Sequence, residues 1–458
     1  MKTLRLLDLA NEAKGITENI DSTLIVKGIS TDSRKVKEGD LFIAIEGENF
    51  DGHDFVRQAF EKGCSGAVVH KDIKDIQGLP VVRVNNTLHA LHEMARYYMS
   101  LFDIPRVAVT GSTGKTTTKE MIYKVLSQKY NVIKNIGNYN NHIGLPLSVF
   151  QIEEDHEIAI FEMGMSGFGE IDLLASIVKP DIAVITNVGL SHIENLGSQE
   201  NIFKAKLEVT NYFSDKNILI INQDDSFLNT VSERMRPYQV IGIGFGSASD
   251  GVISDVSNLG EKGVNFLLTF RNTSNGFKLN AIGKHNVYNA SMAVVIGLLF
   301  DVHIDDIAKG ISEFEGYNMR LNVEESKNGI KILNDAYNAS PDSMKAAIDT
   351  LMTIEGRRHI AILSDMLEMG DYSEKYHLEV GKYAADSGVD QIISVGKNAL
   401  FIAKGAGNMS GNNVCYYKAN IDLINDLDVL IKPGDVVLVK GSRGMKMEEI
   451  VHSLKERG

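Results

Sequence analysis

The sequence predicts an α/β protein of three domains: a small mixed α/β N-terminal domain, a central domain built on a parallel sheet, and a C-terminal doubly wound Rossmann-like domain. Three observations carry this. The chain has 458 residues, more than a single core of about 150 residues accommodates. Strand-like apolar runs alternate with helix-compatible stretches, the pattern of a parallel sheet covered on both faces. That alternation restarts twice, which places the expected domains at 1–85, 86–315 and 316–458.

In the first domain, β-like runs at Leu41 to Ile45 and Ala67 to His70 surround an amphipathic helix near Phe55 to Lys62, and the domain ends near Val81 to Val84. The second opens with a helix over Leu88 to Leu101, then the run Arg106 to Thr110, a glycine loop and a helix from Lys115 to about Ser127. Further runs at Glu157 to Glu162, Asp181 to Asn187 and Asn217 to Asn222 supply its sheet. The stretch Gly246 to Gly276 is rich in Gly, Ser and Asn and holds one strand-like run, Val264 to Phe270. The third domain alternates Ile330 to Asn334, a helix from Pro341, His359 to Leu363, a helix over Tyr372 to Ala385, Gln391 to Val395, a helix near Ala399, and Asp435 to Lys440.

Composition removes several classes of function. A net charge of −13 argues against a nucleic-acid partner, which requires a basic face. No run approaches the roughly 18 uninterrupted apolar residues of a membrane span, so no membrane insertion is expected. Met1 to Ala10 lacks the apolar core of a signal peptide, so a cytoplasmic location is expected. Cys64 and Cys415 stand far apart and outside any Cys/His cluster, which disfavours a disulfide framework or structural zinc.

The strongest local signal is Thr110-Gly111-Ser112-Thr113-Gly114-Lys115-Thr116-Thr117, where a strand passes through a glycine turn into a helix. Backbone N–H groups and a helix N-terminus then surround one point and favour phosphate there. Lys115 can reach terminal phosphates, and the Thr116 hydroxyl is placed to ligate magnesium. Val109 replaces the first glycine of the standard G-x-x-x-x-G-K-[ST] pattern, so this is a shortened variant. It makes the central domain P-loop ATPase-like, with ATP as ligand.

Glu162 ends an apolar strand at the carboxyl edge of that sheet, where ligands bind in open α/β folds. A carboxylate there can hold magnesium, although a solvated strand end is the plainer alternative. His192 lands on the same edge as a metal ligand, a proton carrier or a satisfied surface residue. Asn286 and Asn289 share a helix face, where their amides could read an adenine edge or hold a loop; capping is the alternative. Beyond the second boundary, Arg320 and the strand-to-helix passage from Asn334 through Asp335, Tyr337 and Asn338 to Pro341 fit a cleft shared between domains.

Taken together these residues resemble the Mur ligase family, in order and over essentially the whole chain: the loop at 110–116, Glu162-Met163-Gly164, His192, Ala205-Lys206, His285-Asn286 with Asn289, Arg320 and Asp335. The family joins an amino acid or dipeptide to a UDP-muramoyl carboxylate through an acyl phosphate made from ATP. Four segments are similar to the branch that adds D-alanyl-D-alanine to UDP-N-acetylmuramoyl-tripeptide: Gly137 to Pro146, Asp335 to Met344, Asp365 to Gly370, and Lys440 to Gly444. The Asp-Asn-Pro-Arg string of the sibling that adds the third stem residue is absent.

The resemblance implies an ADP-forming peptide ligase of cell-wall assembly, acting as a monomer. Lys115, His192 and Lys206 would be catalytic, and Thr110, Gly111, Ser112, Thr113, Gly114, Thr116 and Thr117, with Asn286, Asn289, Arg320 and Asp335, would bind nucleotide. Two magnesium ions are implied, one near Thr116 and Glu162 and a second held by His192 and a carbamylated Lys206. For Lys206 the competing reading is an exposed helical lysine paired with Glu208 or another carboxylate. Ser33 and Arg34, with Asp51-Gly52-His53 nearby, would receive the UDP-muramoyl end; Asn138, Asn140, Asn141, Tyr337, Asn338, Ser442 and Arg443 would contact substrate. The rivals are the sibling ligase, a folate polyglutamate ligase, and a P-loop ATP-binding switch that forms no product bond.

Overall fold

The protein is described here from a computed structural model covering residues 1–74, 76–232, 235–317, 319–407 and 413–456. Its strands assemble into three principal sheets and one two-stranded ribbon. In the N-terminal unit, Gly28–Ser30, Asp40–Ile43, Gly66–Val69 and Val81–Arg83 run parallel, and Ile16–Glu18 adds an antiparallel edge. The inner strands Asp40–Ile43 and Gly66–Val69 are buried throughout, as expected where both faces are covered.

The helix Thr87–Ser100 joins this unit to the next, and its start is set by Asn86, whose side chain accepts from His89 N. The central sheet has nine strands in the order Thr273–Leu279, Val264–Phe270, Gly251–Asn258, Gln239–Gly244, Ile218–Asn222, Ile182–Ile185, Arg106–Thr110, Ile158–Glu162 and Val132–Lys134. Arg106–Thr110 lies between strands reached by crossovers in opposite directions, so its carboxyl end opens at a topological switch point. Register fixes what gathers there: Glu162 sits opposite Val109 on one side, and Ile185 opposite Thr110 on the other.

The central sheet is parallel from Val132–Lys134 across to Gly251–Asn258, but the expectation of one strand in Gly246 to Gly276 needs correction. Val264–Phe270 pairs antiparallel with both neighbours, and Gly251–Asn258 and Thr273–Leu279 are strands as well. Arg271 and Asn272 both take positive φ, 48° and 63°, making the two-residue turn whose twist suits a hairpin. Alternating buried and exposed positions along Val264–Phe270 mark one face packed on the core and one facing water.

In the C-terminal unit the order is Asn322–Glu325, Lys331–Asp335, Val436–Lys440, His359–Ser364, Gln391–Val395 and Val414–Tyr417, all parallel except the first. The edge strands Asn322–Glu325 and Val414–Tyr417 and the helices Asn420–Leu430 and Glu448–Glu456 add to the elements expected from sequence. The helix Pro341–Leu351 begins on proline, with Ser340 and Ser343 forming a reciprocal cap. Among the described residues no helix is long and apolar enough to cross a membrane.

Candidate active site

The carboxyl edges of the central and C-terminal sheets face one cavity of about 700 Å³. On the central side the chain turns at Gly111 (φ 146°) and Gly114 (φ 79°), conformations that favour glycine. A Cβ on Gly111 would lie 1.9 Å from Thr186 Oγ1, so the loop can close on its neighbour only without a side chain. Asn187 braces it: its Oδ1 accepts from Thr113 N at 2.9 Å, its carbonyl accepts from Ser112 N at 3.0 Å, and its Nδ2 donates to Thr113 Oγ1 at 2.8 Å. The loop is therefore held in shape by its own protein neighbours, ready for phosphate.

Lys115 Nζ donates to the carbonyls of Gly111 (2.8 Å) and Ser112 (3.2 Å). Burial lowers its pKa, opposed by the charge of Glu162 and reinforced by that of Arg320. Thr116 Oγ1 donates to Glu162 Oε2 at 2.8 Å, and Asn140 Nδ2 donates to Glu162 Oε1 at 2.7 Å. Glu162 is almost wholly buried, and Asn135 holds its backbone on both sides. The fully buried Lys119 stands 3.8 Å from Glu162 Oε2 and donates to Asn135 O at 2.9 Å. Lys119 and Asn135 escaped sequence reasoning, although Lys119 follows the loop by only three residues.

Lys206, in the helix Gln199–Leu207, is 1% exposed. Burial drives its pKa well below the ordinary lysine value, and the neighbouring Lys115 charge pushes the same way. Pairing with Glu208 does not occur: that carboxylate accepts from the backbone of Gly169 at 2.9 and 3.0 Å and of Asp172 at 3.2 Å. His192 lines the cavity in a left-handed conformation, φ 64°; its buried Nδ1 lies 2.5 Å from Glu368 Oε2 of the C-terminal unit, an ion-pair distance at which the N–H direction is not aligned as a hydrogen bond.

The opposite wall is electrostatically different. Asp335 and Lys440 are register partners on adjacent strands, and Lys440 Nζ reaches both Asp335 Oδ2 (2.5 Å) and Asn338 O (2.9 Å). Lys440, 105 positions from Asp335, was not singled out from sequence. Arg320 crosses the cleft: its Nη2 donates to Thr116 Oγ1 at 3.2 Å, while its guanidinium lies 4.2 Å from the Tyr337 ring centre. Arg320 Nε is buried with no hydrogen-bond partner among the described residues, and an anion bound in the cleft would satisfy it. Asp342, at the start of the helix Pro341–Leu351, accepts from Leu190 N at 3.4 Å, and burial raises its pKa.

The cavity thus gathers Ser112, Thr113, Gly114, Lys115, Thr116, Thr117, Asn140, Asn141, Glu162, His192, Asn286, Asn289, Arg320, Asp335, Tyr337 and Asn338. Asn286 Nδ2 donates to Ile282 O, Asn289 Nδ2 donates to Asn286 Oδ1, and Asn289 packs against Gly114. Asn141 also caps the helix Gly144–Val149 through Gly144 N. Thr110 and Gly111 support the loop from behind, and Lys206 is buried outside the lining.

Ser33, Arg34, Asn138, Ser442 and Arg443 do not line this cavity. Ser33 Oγ donates to Gln58, Arg34 forks onto Asp32, and Asn138 is exposed, its carbonyl accepting from Asn140 N. Ser442 Oγ accepts from Leu367 N at 2.9 Å as an internal brace, and Arg443 pairs with Glu448.

Among the described residues no three His, Cys, Asp or Glu side chains converge into a metal cage. The oxygens of Thr116 and Glu162, 2.8 Å apart at the phosphate loop, suit a magnesium ion that keeps phosphate and water among its ligands. His192 adds a nitrogen donor to the same cavity, while Lys206 lies buried outside its lining.

Two α/β domains closing on one phosphate loop, with a buried lysine near it that has no ion-pair partner among the described residues, describe a nucleotide-dependent ligase site. The Mur ligase family model set matches here in three parts: its catalytic domain at residues 25–99, the Mur ligase middle domain at 109–297, and the Mur ligase glutamate ligase domain at 319–443. The chain belongs to the Mur ligase family. It is 42% identical to the UDP-N-acetylmuramoyl-tripeptide–D-alanyl-D-alanine ligase of Bacillus subtilis, over 97% of this chain and 98% of that one. Among solved structures, MurF from Acinetobacter baumannii superposes with a TM-score of 0.92 at 31% identity, with both chains covered fully. The MurF ligase of Thermotoga maritima in complex with ADP superposes with a TM-score of 0.84 at 28% identity, covering 94% of this chain and 97% of that one.

Proposed function

We propose that this chain joins D-alanyl-D-alanine to UDP-N-acetylmuramoyl-tripeptide with cleavage of ATP to ADP and phosphate, acting as a cytoplasmic monomer in peptidoglycan precursor synthesis. The observation that carries it is the shared cavity. A phosphate loop with Lys115 and Thr116 lies within reach of Arg320 from a second α/β domain, in a chain aligned end to end with ligases of that activity.

A carboxylate is a poor acyl donor, so its oxygen must first become part of a leaving group. The tripeptide carboxylate attacks the γ-phosphorus of ATP; a new P–O bond forms, the bond to the β-bridging oxygen breaks, and ADP leaves with its electron pair. Both reactants are anionic, and the loop amides, Lys115 and Arg320 offset their repulsion. The dipeptide amine then attacks the acyl carbon, the C–O bond to phosphate breaks, and the amine gives up a proton as the amide forms. Domain contact through Arg320 keeps water from the acyl phosphate.

Magnesium, when bound, neutralises phosphate charge; Thr116 and Glu162 would hold one ion, and His192 with carbamylated Lys206 a second. Lys206 is suited to carbamylation because burial and Lys115 favour its neutral amine, the form that adds carbon dioxide with release of a proton. The N-terminal unit, including Ser33 and Arg34, would receive the UDP end, and Asn140, Tyr337 and Asn338 would contact the peptide substrates. Phosphate release measured with each substrate alone and with both tests the assignment. Release should require UDP-N-acetylmuramoyl-tripeptide and D-alanyl-D-alanine together; release with a single amino acid in place of the dipeptide would overturn it.

A further inference from the structure

The segment from Asp365 to Gly370 leaves the strand His359–Ser364 and is fastened within its own domain at three successive residues. Asp365 Oδ1 accepts from Ala399 N at 2.7 Å, Met366 N donates to His377 Nε2 at 2.9 Å, and Leu367 N donates to Ser442 Oγ at 2.9 Å. Glu368 follows in the left-handed region, φ 62°. That conformation is disfavoured for a residue with a Cβ and persists only where surrounding structure enforces it. Its carboxylate faces His192, itself at φ 64°, with Oε2 2.5 Å from Nδ1.

Two further contacts seat the loop on the central domain. Glu194 N donates to Glu368 O at 3.2 Å, and Tyr372 Oη donates to Gly197 O at 3.2 Å. Met366 and Met369 share a buried apolar cluster with Ile193 and Leu196. Two disfavoured backbone conformations, one on each domain, thus bring one carboxylate to one imidazole nitrogen. A surface ion pair formed by chance would not require either. With Nδ1 turned toward a carboxylate at 2.5 Å, Nε2 is the ring nitrogen left to bind a cation, and a carboxylate beside the far nitrogen fixes ring orientation and raises ligand basicity.

We propose that Glu368 is a positioning residue that orients His192 for its metal ion, so that the C-terminal domain completes a ligand of the central domain's site when the two are docked. This rests on reading His192 as a metal ligand. The test uses the full-length enzyme with a non-hydrolysable ATP analogue and UDP-N-acetylmuramoyl-tripeptide, titrated with Mn²⁺ and followed by electron paramagnetic resonance.

Wild type should bind two ions. Glu368→Gln should weaken the second roughly 10- to 100-fold, leave the first unchanged, and in turnover lower kcat without raising the KM for ATP. Tyr372→Phe, which removes a neighbouring contact across the same interface, should leave both ions unchanged. Unaltered Mn²⁺ binding in Glu368→Gln, or equal weakening in Tyr372→Phe, would reduce Glu368 to a domain clamp and overturn the proposal. His192→Gln separates the two layers: if it keeps the second ion, the metal-ligand reading itself fails. If it loses that ion while Glu368→Gln keeps it, only the role of Glu368 falls.

Discussion

Two strand-to-helix turns face each other across the cleft, Thr110 to Lys115 on the central sheet and Asp335 to Pro341 on the C-terminal sheet. Both leave the carboxyl end of a parallel strand. The first is held by backbone amides on Asn187 and by the Thr186 hydroxyl donating to Thr113 O at 2.5 Å. The second is held by one buried cation, Lys440, spanning Asp335 and Asn338. Each turn is thus braced from within its own domain, while the polar contacts between the two domains, among the described residues, include Arg320 to Thr116, Leu190 to Asp342, and the contacts of Glu368 and Tyr372 with the segment from His192 to Gly197. A phosphoryl donor site and an acceptor wall built independently can separate and re-form as rigid parts, which suits a reaction that must admit large substrates and then exclude water.

The largest expected effect strikes the donor turn. Lys115→Ala removes the one lysine ammonium on the phosphate loop, so turnover should fall by on the order of 10³-fold or more. Because Lys115 bonds, among the described residues, to loop carbonyls, the thermal midpoint should stay close to wild type. Steady-state phosphate release and differential scanning fluorimetry read the two quantities. A variant that retains ligase activity would remove the loop from the mechanism.

The acceptor turn should respond in the opposite sense, with stability failing first. Lys440→Met leaves the buried Asp335 carboxylate without its partner, a change that costs about 3 to 5 kcal/mol. Denaturant unfolding should show that loss in the C-terminal domain, whereas the double variant Asp335→Asn with Lys440→Met should recover part of it. If the single variant unfolds like wild type, the two turns are not built differently after all. Between them, Arg320→Ala should lower kcat roughly 10- to 100-fold with stability nearly unchanged, because it deletes the link rather than either brace.

The same contrast governs how much could be read from the sequence. The donor turn is local: its glycines, Lys115 and Thr116 are consecutive, and backbone geometry dictates residue type at each position. The strand runs around it are long and apolar enough that Arg106–Thr110 and Gln391–Val395 match their sequence-based ranges residue for residue. The acceptor wall depends on pairings remote in sequence, such as Asp335 with Lys440 and His192 with Glu368, which only sheet register and domain docking create. Ser442 lies within a recognisable segment, yet its hydroxyl braces Leu367, because a motif fixes a backbone path more firmly than the direction of each side chain. The hairpin after Gly246 was hidden by its polar composition; Arg271-Asn272 between two alternating runs is the signal that identifies it.

A site remote from both turns sharpens the comparison with the smallest effect. In the N-terminal unit Asp51 Oδ1 accepts from His53 N at 2.9 Å and faces His53 Nδ1 at 2.6 Å, while Lys71 Nζ reaches Oδ2 at 2.6 Å. Burial would push the Asp51 pKa up, but the bonds to Lys71 and His53 outweigh it and hold the carboxyl well below its usual range. The folded value lies beneath the unfolded one near 4, so ionised Asp51 stabilises the fold fully above about pH 4. That contribution is lost as pH falls through the folded value. Asp51→Asn should therefore lower stability by about 1.5 kcal/mol at neutral pH, the worth of a hydrogen bond to a charged group. The gap between wild type and variant, measured as urea midpoints, should hold constant from pH 7 to about 4 and narrow only below it. Closure of the gap between pH 7 and 5 would assign the effect to His53 instead. The kcat per folded molecule should not move, because Asp51 braces neither turn, whereas the KM for the UDP-muramoyl substrate, whose end the N-terminal unit would receive, is where an effect should show; a fall in kcat would tie that unit to the cleft more closely than these contacts allow.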